Sequence, residues 1–320
     1  IEIFKKKKIN FFLVNTNQHY RKLMSKIFFN FFKIPKPKYN IKMGTNSQIK
    51  FFSKSILNLE KIFNEERPDI LIVQGDTNTA LSGCLAASIY NRKINQKNKK
   101  IKIVHLEAGL RSYNNFMPEE INRRLIDQLS DILFVPTFFD LNNLKKENLL
   151  KNKKIFTVGN TISDVIKKYK NNPFEYKILN KLQLTKNNYY LLTLHRPETV
   201  DDTKNLKKLL NYIDKLGKKY DRKFIFPVHP RTKKKFSQFN INKLNYIKFI
   251  EPLEFIDFLN LMKNTSKVFT VSGGIQEETS LLGVPCITLR TTTERQSSLK
   301  EKTNILTSFN YNRILNAIKY

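Results

Sequence analysis

Short apolar runs alternate with longer amphipathic stretches along both halves of the 320-residue chain. Runs rich in β-branched and aromatic residues predict buried strands, and apolar residues at three- and four-residue spacing predict helices. The alternation predicts an α/β protein with two Rossmann-like domains, each a doubly wound parallel sheet, and an active site in the cleft between them. The predicted strands are Ile9–Val14, Asp69–Asp76, Lys102–Gly109, Ile132–Thr137, Ile155–Asn160, Lys267–Val271 and Cys286–Leu289, and two more open the segments Tyr189–Thr199 and Phe224–Thr232.

Helices are predicted between these strands, over residues 48–66, 79–90, 118–131, 204–218 and 275–282. The rhythm starts again after residue 160, so we expect an N-terminal domain over residues 1–159 and a C-terminal domain over residues 160–320. The length suits two domains, each with its own core.

Composition favours a globular protein, with 40% hydrophobic and 12% aromatic residues. No apolar run approaches the roughly 18 residues that a membrane helix needs, so no membrane span is expected. Cys84 and Cys286 lie inside apolar stretches far apart in the sequence. They are expected to be small buried hydrophobes without a disulfide, and with no visible signal peptide this predicts a cytoplasmic protein.

The chain is strongly basic, with 58 Lys and Arg against 27 Asp and Glu, a net charge of +31. Such a charge ordinarily suggests nucleic-acid binding. Here the lysines lie mainly in loops and at helix ends, as in Lys5–Lys8, Lys151–Lys154 and Lys233–Lys235, and no aromatic residues are interleaved with them. We therefore expect no nucleic-acid partner and a charge that attracts an anionic substrate.

The stretch Lys267–Gln296 contains a strand, a Ser-Gly-Gly turn and a helix that opens at that turn. Free N–H groups at a helix start, beside glycines that admit close approach, are typical of an anion site. Glu277 or Glu278 could accept from a ribose diol, and Arg290 and Arg295 could neutralise a diphosphate. The alternative is an ordinary capped helix whose first-turn acids favour its dipole.

Histidines and acids follow the predicted strands elsewhere. The four histidines are His19, His105, His195 and His229, and all lie at or near strand ends. Asp76, Glu107 and Glu119 are placed similarly, and in open α/β sheets ligands bind at the carboxyl ends of strands. Each has an ordinary alternative, because Asp76 could cap a helix, and Glu119 and Glu120 suit a helix start. No HExxH or other tight ligand spacing occurs, so no metal is expected.

Taken together and in order, the motifs resemble those of the non-hydrolysing UDP-N-acetylglucosamine 2-epimerase family across nearly the whole chain. They are TNQHY, QGDTNTALSG, HLEAGLRS, MPEEINRR, VGNT, TLHRPET, FPVHP, EPLEFIDFLNLM, SGGIQEE and TTER. The resemblance implies the GT-B-like fold shared with glycosyltransferases. It also implies an isomerase that interconverts UDP-N-acetylglucosamine and UDP-N-acetylmannosamine for surface polysaccharide synthesis, without metal or redox cofactor.

The resemblance also implies roles for individual residues. Asp76, Glu107 and Glu119 would be the acid/base group around the sugar, and His195 would contact the departing diphosphate. UDP would be held by His229, Ser272, Gly273, Gly274, Glu278 and Arg295. Further candidates are Gln18, His19 and Arg111, and the protein is expected to form a homodimer.

Several carboxylates suit this chemistry, because a hydrogen at C2 of the sugar is not acidic. Expelling UDP from C1 as C2–H is lost gives a 2-acetamidoglucal, and re-addition with protonation from the other face inverts C2. Two faces require acid/base groups on both sides, with differently tuned pKa values.

The chain also departs from the family pattern. A first strand and a Gly-Thr-Arg-Pro-Glu-like loop would precede Ile1, so we expect an N-terminally truncated member with weak UDP binding and impaired turnover. The alternatives are a GT-B glycosyltransferase that uses a UDP-sugar and an inactive remnant that only binds UDP. Within the epimerases, a diacetamido-uronic acid is an alternative sugar.

Overall fold

A computed structural model describes residues 1–17, 29, 31–42, 47–93, 99–174, 176–236 and 241–319. It divides into two compact units, residues 1–160 and 161–320, next to the predicted division between residues 159 and 160. Both units contain parallel sheets flanked by helices, so the predicted fold class is confirmed.

Unit 1 is built on a four-stranded parallel sheet in the order β3-β4-β5-β6, and β1 and β2 form a separate parallel pair. Its strands are β1 (Val14–Asn15), β2 (Tyr39–Asn40), β3 (Ile70–Gln74), β4 (Lys102–Leu106), β5 (Ile132–Val135) and β6 (Lys154–Thr157). Its helices are α1 (Glu2–Lys6), α2 (Gln48–Glu66), α3 (Asn78–Lys93), α4 (Pro118–Leu129) and α5 (Phe138–Lys146). Gln74 is the register partner of Leu106, so the residues that follow β3 and β4 emerge side by side.

The core of unit 1 forms where α2 packs on α3. The α2 helix begins at the N-cap Ser47, whose side chain accepts from the Lys50 N–H, and it buries large residues such as Phe51 and Phe63. The facing helix buries small residues, among them Ala80, Cys84 and Ala87. Small side chains on one helix admit large ones from its neighbour, which lets the two pack closely.

Unit 2 is a six-stranded parallel sheet in the order β9-β8-β7-β10-β11-β12. Its strands are β7 (Tyr189–Thr193), β8 (Lys223–Pro227), β9 (Ile247–Ile250), β10 (Lys267–Thr270), β11 (Cys286–Thr288) and β12 (Asn304–Leu306). Its helices are α6 (Ile162–Tyr169), α7 (Lys177–Leu182), α8 (Pro197–Val200), α9 (Thr203–Tyr220), α10 (Pro230–Lys233), α11 (Phe255–Lys263), α12 (Gly273–Leu282), α13 (Gln296–Lys300) and α14 (Tyr311–Ile318), and Ile241–Lys243 form a 3₁₀ turn.

The chain enters this sheet at its centre, moves outward to β9 and then returns to β10 beside β7. The strand order therefore reverses between β7 and β10, the position where doubly wound sheets bind ligands. Here the Thr193 and Thr270 hydroxyls lie 2.6 Å apart. The apolar strands between the helix layers are buried, as β7 shows at every residue.

Several predicted bounds were wrong. The run Ile9–Val14 contributes only Val14 to a strand, and β3 and β4 end before Asp76 and Glu107, because Gly75 and Glu107 adopt positive φ values of 66° and 69°. The α12 helix already begins at Gly273. The strands β9 and β12 were not predicted, since short strands at a sheet edge carry little pattern.

Both cysteines are buried free thiols, which confirms the prediction for Cys84 and Cys286. Within the described ranges, no helix has both the length and the apolar character needed to cross a bilayer.

Gly217 offers a test of the packing of α9. A Cβ added there would lie 2.5 Å from Tyr246 Cβ and 2.9 Å from the Arg222 carbonyl oxygen. An alanine normally favours a helix over glycine by about 1 kcal/mol, yet we expect Gly217→Ala to lower the free energy of unfolding by about 1–3 kcal/mol through overpacking.

Gly83→Ala is the matched control, because its Cβ would meet only side-chain atoms, the nearest being Val73 Cγ1 at 3.3 Å. Urea unfolding should show the smaller change for Gly83→Ala. A Gly217→Ala protein as stable as the parent would contradict the packing described for α9.

Candidate active site

Two acids of unit 1 follow neighbouring strands. Asp76 comes just after β3 and Glu107 just after β4, and Gln74 Nε2 donates to Glu107 Oε1 at 2.7 Å. The positive φ of Glu107, 69°, is uncommon for a residue with a side chain. A residue with a side chain in this backbone conformation costs the fold roughly 1–3 kcal/mol, and such residues occur often at functional sites. The carboxylate is thus held by both its backbone and Gln74.

The two acids at the start of α4 differ in their partners. Glu120 is buried and accepts from the Ser112 N–H at 2.9 Å, the Ser112 hydroxyl at 2.8 Å and the Tyr113 N–H at 3.1 Å. It also pairs with Arg123 Nη1 at 2.6 Å. Glu119 is half-buried, and its carboxylate has no hydrogen-bond partner within the described ranges. Glu120 therefore fixes the loop before α4, and Glu119 is the available acid.

Arg123 connects α4 to Asp76. Its side chain is buried, and both Nε, at 3.1 Å, and Nη2 donate to Asp76 Oδ2. Asn122 Nδ2 donates to the Asp76 carbonyl oxygen at 2.9 Å. These contacts hold Asp76 beside the start of α4, where Glu119 lies.

His105 lies inside unit 1 and is fully buried. Its Nδ1 is 2.7 Å from Asp127 Oδ1, and its Nε2 is 3.0 Å from the Gly75 carbonyl oxygen. Each ring nitrogen therefore lies within hydrogen-bond distance of an oxygen, one from a side chain and one from the backbone. His105 thereby supports the backbone just before Asp76.

Arg111, a further candidate from the motifs, is also fully buried. Its Nη1 donates to Asp127 at 2.7 Å, and its Nε and Nη2 donate to Glu147 at 2.8 and 2.6 Å. A guanidinium in the interior needs carboxylate partners, and these two take up its donors. Burial opposes ionisation of Asp127, but His105 and Arg111 hold the pKa of that carboxyl below its usual range.

In unit 2, the predicted groups converge at the carboxyl ends of the central strands. His195 follows β7 and His229 follows β8, and their rings lie 6.1 Å apart between centroids, at 45°. Ser272 occupies the N-cap position of α12, two residues after β10, and its N–H donates to Thr270 Oγ1 at 3.0 Å. These segments surround the point where the strand order reverses.

The two glycines at the start of α12 differ in how much space a side chain would have. A Cβ on Gly273 would overlap Glu294 Oε1, so the helix start packs directly on that carboxylate. A Cβ on Gly274 would meet only Ser272 Oγ, at 3.9 Å. The first N–H groups of an α-helix have no partner within the helix and suit an anion.

Charges around this helix start are largely paired. Glu294 is buried and lies 3.0 Å from Arg290 Nη1 and 3.7 Å from Arg196 Nη2. Arg295 Nη2 lies 3.1 Å from Glu277 Oε2. Both arginines proposed for a diphosphate therefore already contact a carboxylate.

Glu278 is the exception on α12. It is half-buried and has no hydrogen-bond or ion-pair partner in the described part of the chain. Burial, together with the charge of Glu277, raises the pKa of Glu278 to about 7. It is the acid on this helix that could accept from a ligand.

Asp76, Glu107 and Glu119 all belong to unit 1, and the residues predicted to bind UDP belong to unit 2. Gln18 and His19 lie outside the described residues. Sequence reasoning missed Gln74, Arg123 and Glu294. Helical spacing places Arg123 on the same face as Glu120 and could have revealed that pair. Among the described residues, no three His, Cys, Asp or Glu side chains are grouped to hold a metal ion.

Comparison with known proteins places these residues in context. The family profile described as UDP-N-acetylglucosamine 2-epimerase matches residues 2–320. The UDP-N-acetylglucosamine 2-epimerase of Methanococcus maripaludis is 45% identical over 97% of this chain and 84% of its own. The crystal structure of the Methanocaldococcus jannaschii UDP-GlcNAc 2-epimerase in complex with UDP-GlcNAc and UDP is 41% identical. It superposes with a TM-score of 0.89 over 100% of this chain and 87% of its own. The UDP-2,3-diacetamido-2,3-dideoxy-D-glucuronate 2-epimerase of Pseudomonas aeruginosa is 34% identical over 88% of this chain and 75% of its own.

The raised pKa of Glu278 predicts a pH-dependent stability difference. In the unfolded chain this carboxyl ionises near its ordinary value of 4.5, whereas in the folded chain it ionises near 7. Folding of the parent is therefore penalised increasingly as pH rises from about 4.5 to about 7, and the penalty persists above that.

We expect Glu278→Gln to remove this penalty. The variant and its parent should be equally stable at pH 4, and the variant should be more stable at pH 8, by on the order of 1–3 kcal/mol. Denaturant unfolding at both pH values measures this. If the stability difference between Glu278→Gln and the parent were the same at pH 4 and pH 8, the raised pKa of Glu278 would be contradicted.

Proposed function

Because the chain belongs to the UDP-N-acetylglucosamine 2-epimerase family, we propose that it interconverts UDP-N-acetylglucosamine and UDP-N-acetylmannosamine. The family predicted from the motifs is confirmed, and with it the isomerase class. The observation that carries the proposal is the set of Asp76, Glu107 and Glu119, held at adjoining strand and helix ends of unit 1.

The groups of unit 2 suit a nucleoside diphosphate. The open N–H groups at the start of α12 would bind phosphate oxygens, with Ser272, Gly273 and Gly274 at the contact. Glu278 would accept from the ribose diol, since a carboxylate has room for two hydroxyl donors. His229 and Arg295 would add donors and positive charge to the same nucleotide.

We propose that the reaction proceeds by elimination and re-addition. The bond between C1 and the UDP oxygen breaks as a carboxylate removes the proton from C2, which leaves a 2-acetamidoglucal and UDP. His195 would stabilise the diphosphate as charge develops on it. UDP then re-adds to C1, and a carboxylic acid returns a proton to C2 from the opposite face.

The environments of the three acids suit opposite roles. Asp76 accepts from the buried Arg123, whereas Glu119 has no hydrogen-bond partner in the described ranges. Glu107 lies between these cases, with the neutral donor Gln74. A base on one face and an acid on the other require such a difference.

The wider setting follows from this chemistry. We propose a role in supplying a sugar precursor for surface polysaccharide and a location in the cytoplasm, where free thiols such as Cys84 and Cys286 persist. The homodimer and the absence of a nucleic-acid partner stay predictions.

Deuterium incorporation tests the proposed reaction. Incubation with UDP-N-acetylglucosamine in D₂O should replace the hydrogen at C2 and produce both epimers, as followed by NMR. Because no metal-ligand set was found among the described residues, EDTA should leave the rate unchanged, and no NAD should be needed. The diacetamido-uronic acid analogue serves as the alternative substrate. Transfer of the sugar to an acceptor, with C2 unlabelled, would overturn the proposal.

Amide variants test the three acids. Asp76→Asn, Glu107→Gln and Glu119→Gln should each lower turnover by about 10²–10⁴, the range for lost acid–base catalysis. UDP affinity, measured by calorimetry, should change far less, because the nucleotide groups belong to unit 2. Glu301→Gln, at an exposed position, is the control. Full turnover in all three variants would remove the assignment.

A further inference from the structure

A fully buried amide, Gln276, joins the two segments of unit 2 that follow β10 and β11. We propose that Gln276 is a positioning residue that holds the start of α12 against the loop Thr293–Arg295, and so keeps the nucleotide site in its binding geometry. The inference rests on the proposed binding of UDP by these segments. It adds a residue to which neither the motifs nor the chemistry had assigned a role.

The orientation of the Gln276 amide is determined by one neighbour. Its Nε2 lies 3.1 Å from the carbonyl oxygen of Ser272, which can only accept. The NH₂ group must therefore face the Ser272 carbonyl, and Oε1 must face the other way. The carbonyl that it holds belongs to the N-cap of α12, so the contact restrains the backbone from which the first helical N–H groups emerge.

The other end of the amide holds the loop after β11. Thr293 Oγ1 donates to Gln276 Oε1 at 2.7 Å, and the same hydroxyl oxygen accepts from the Arg295 N–H at 3.1 Å. The Thr293 hydroxyl thus acts as both donor and acceptor, and it restrains the backbone at Arg295. Glu294, between them, carries the carboxylate that packs on Gly273.

Asn304 on β12 anchors this link in the sheet. Its Nδ2 donates to Gln276 Oε1 at 3.0 Å, and its Oδ1 accepts from the Thr288 hydroxyl at 2.7 Å. Gln276, Thr293, Asn304 and Thr288 are all buried. A buried polar network with its members satisfied specifies one arrangement, because any displacement leaves a donor or acceptor without a partner.

The position of Gln276 separates it from the binding groups themselves. It precedes Glu277 and Glu278 in α12, but its side chain is fully buried and its amide bonds to Ser272, Thr293 and Asn304. Loss of the link should therefore weaken binding of UDP while the chemical step, carried by acids of unit 1, proceeds at nearly the same rate once substrate is bound.

The experiment compares Gln276→Met and Thr293→Val with the parent, using calorimetry for the Kd of UDP and steady-state kinetics. Each variant should raise Kd and KM about 10-fold, the factor expected for one lost hydrogen-bonded link, with kcat changed by less than about 3-fold. The double variant should bind about as weakly as either single one, because both remove the same link. Thr293→Ser retains the hydroxyl and should keep Kd within about 2-fold of the parent. The comparison of Thr293→Ser with Thr293→Val tests the positioning role even if Gln276→Met fails to fold.

Asn260→Leu is the matched control. Asn260 is another fully buried amide of unit 2, and its Nδ2 donates to Asn172 Oδ1 at 3.2 Å and to the Phe174 carbonyl oxygen at 3.1 Å, in segments without a predicted ligand group. It should lower Tm without raising the Kd of UDP. If the parent binds UDP and Thr293→Val binds it within about 2-fold, the positioning role is wrong and the link only stabilises the fold. A parent that does not bind UDP would instead remove the proposed function.

Discussion

Buried charge on α4 is the constraint on which the acid cluster of unit 1 depends. This helix directs Glu120, Arg123 and Asp127 into the interior, and a buried charge is tolerated only when it is paired and hydrogen-bonded. Glu120 and Arg123 pair with each other, and the three side chains find their other partners within β4 and in the loops after β3 and β4. The pairing thus fixes the loops after β3 and β4 as a consequence of stabilising the helix.

The same rule separates acids that are paired within the protein from acids that have no hydrogen-bond partner in the described ranges. Glu120 is saturated by two N–H groups, a hydroxyl and Arg123, whereas Glu119, one residue earlier, has no partner in the described ranges. On α12, Glu277 pairs with Arg295, whereas Glu278 remains free and half-buried there, with a raised pKa. In both helices one acid is paired within the protein, and its neighbour has no hydrogen-bond partner in the described ranges.

Unit 2 reaches a comparable arrangement mostly with neutral groups. The threonines and amides around Gln276 connect three parallel strands behind the helix start, and Glu294 is the main charge among them. Because these links are neutral, they place no negative charge of their own beside the N-terminus of α12. This division is consistent with the proposed roles, in which unit 2 binds the nucleotide and unit 1 supplies the acids for proton transfer.

The sequence by itself determined the α/β class, most of the strands and helices, and the placement of polar groups at strand ends. It could do so because apolar periodicity follows from local geometry, and because parallel strands bring their carboxyl ends to one edge. It did not determine which acid of each adjacent pair is free, why Arg111 turns inward, or how Gln276 connects two loops. Those outcomes depend on tertiary contacts, some of them with distant residues, such as Thr293, 17 residues from Gln276, and Glu147, 36 residues from Arg111. The short strand at Val14–Asn15 was likewise decided by pairing with Tyr39–Asn40, since a strand exists only where a neighbour supplies its hydrogen bonds.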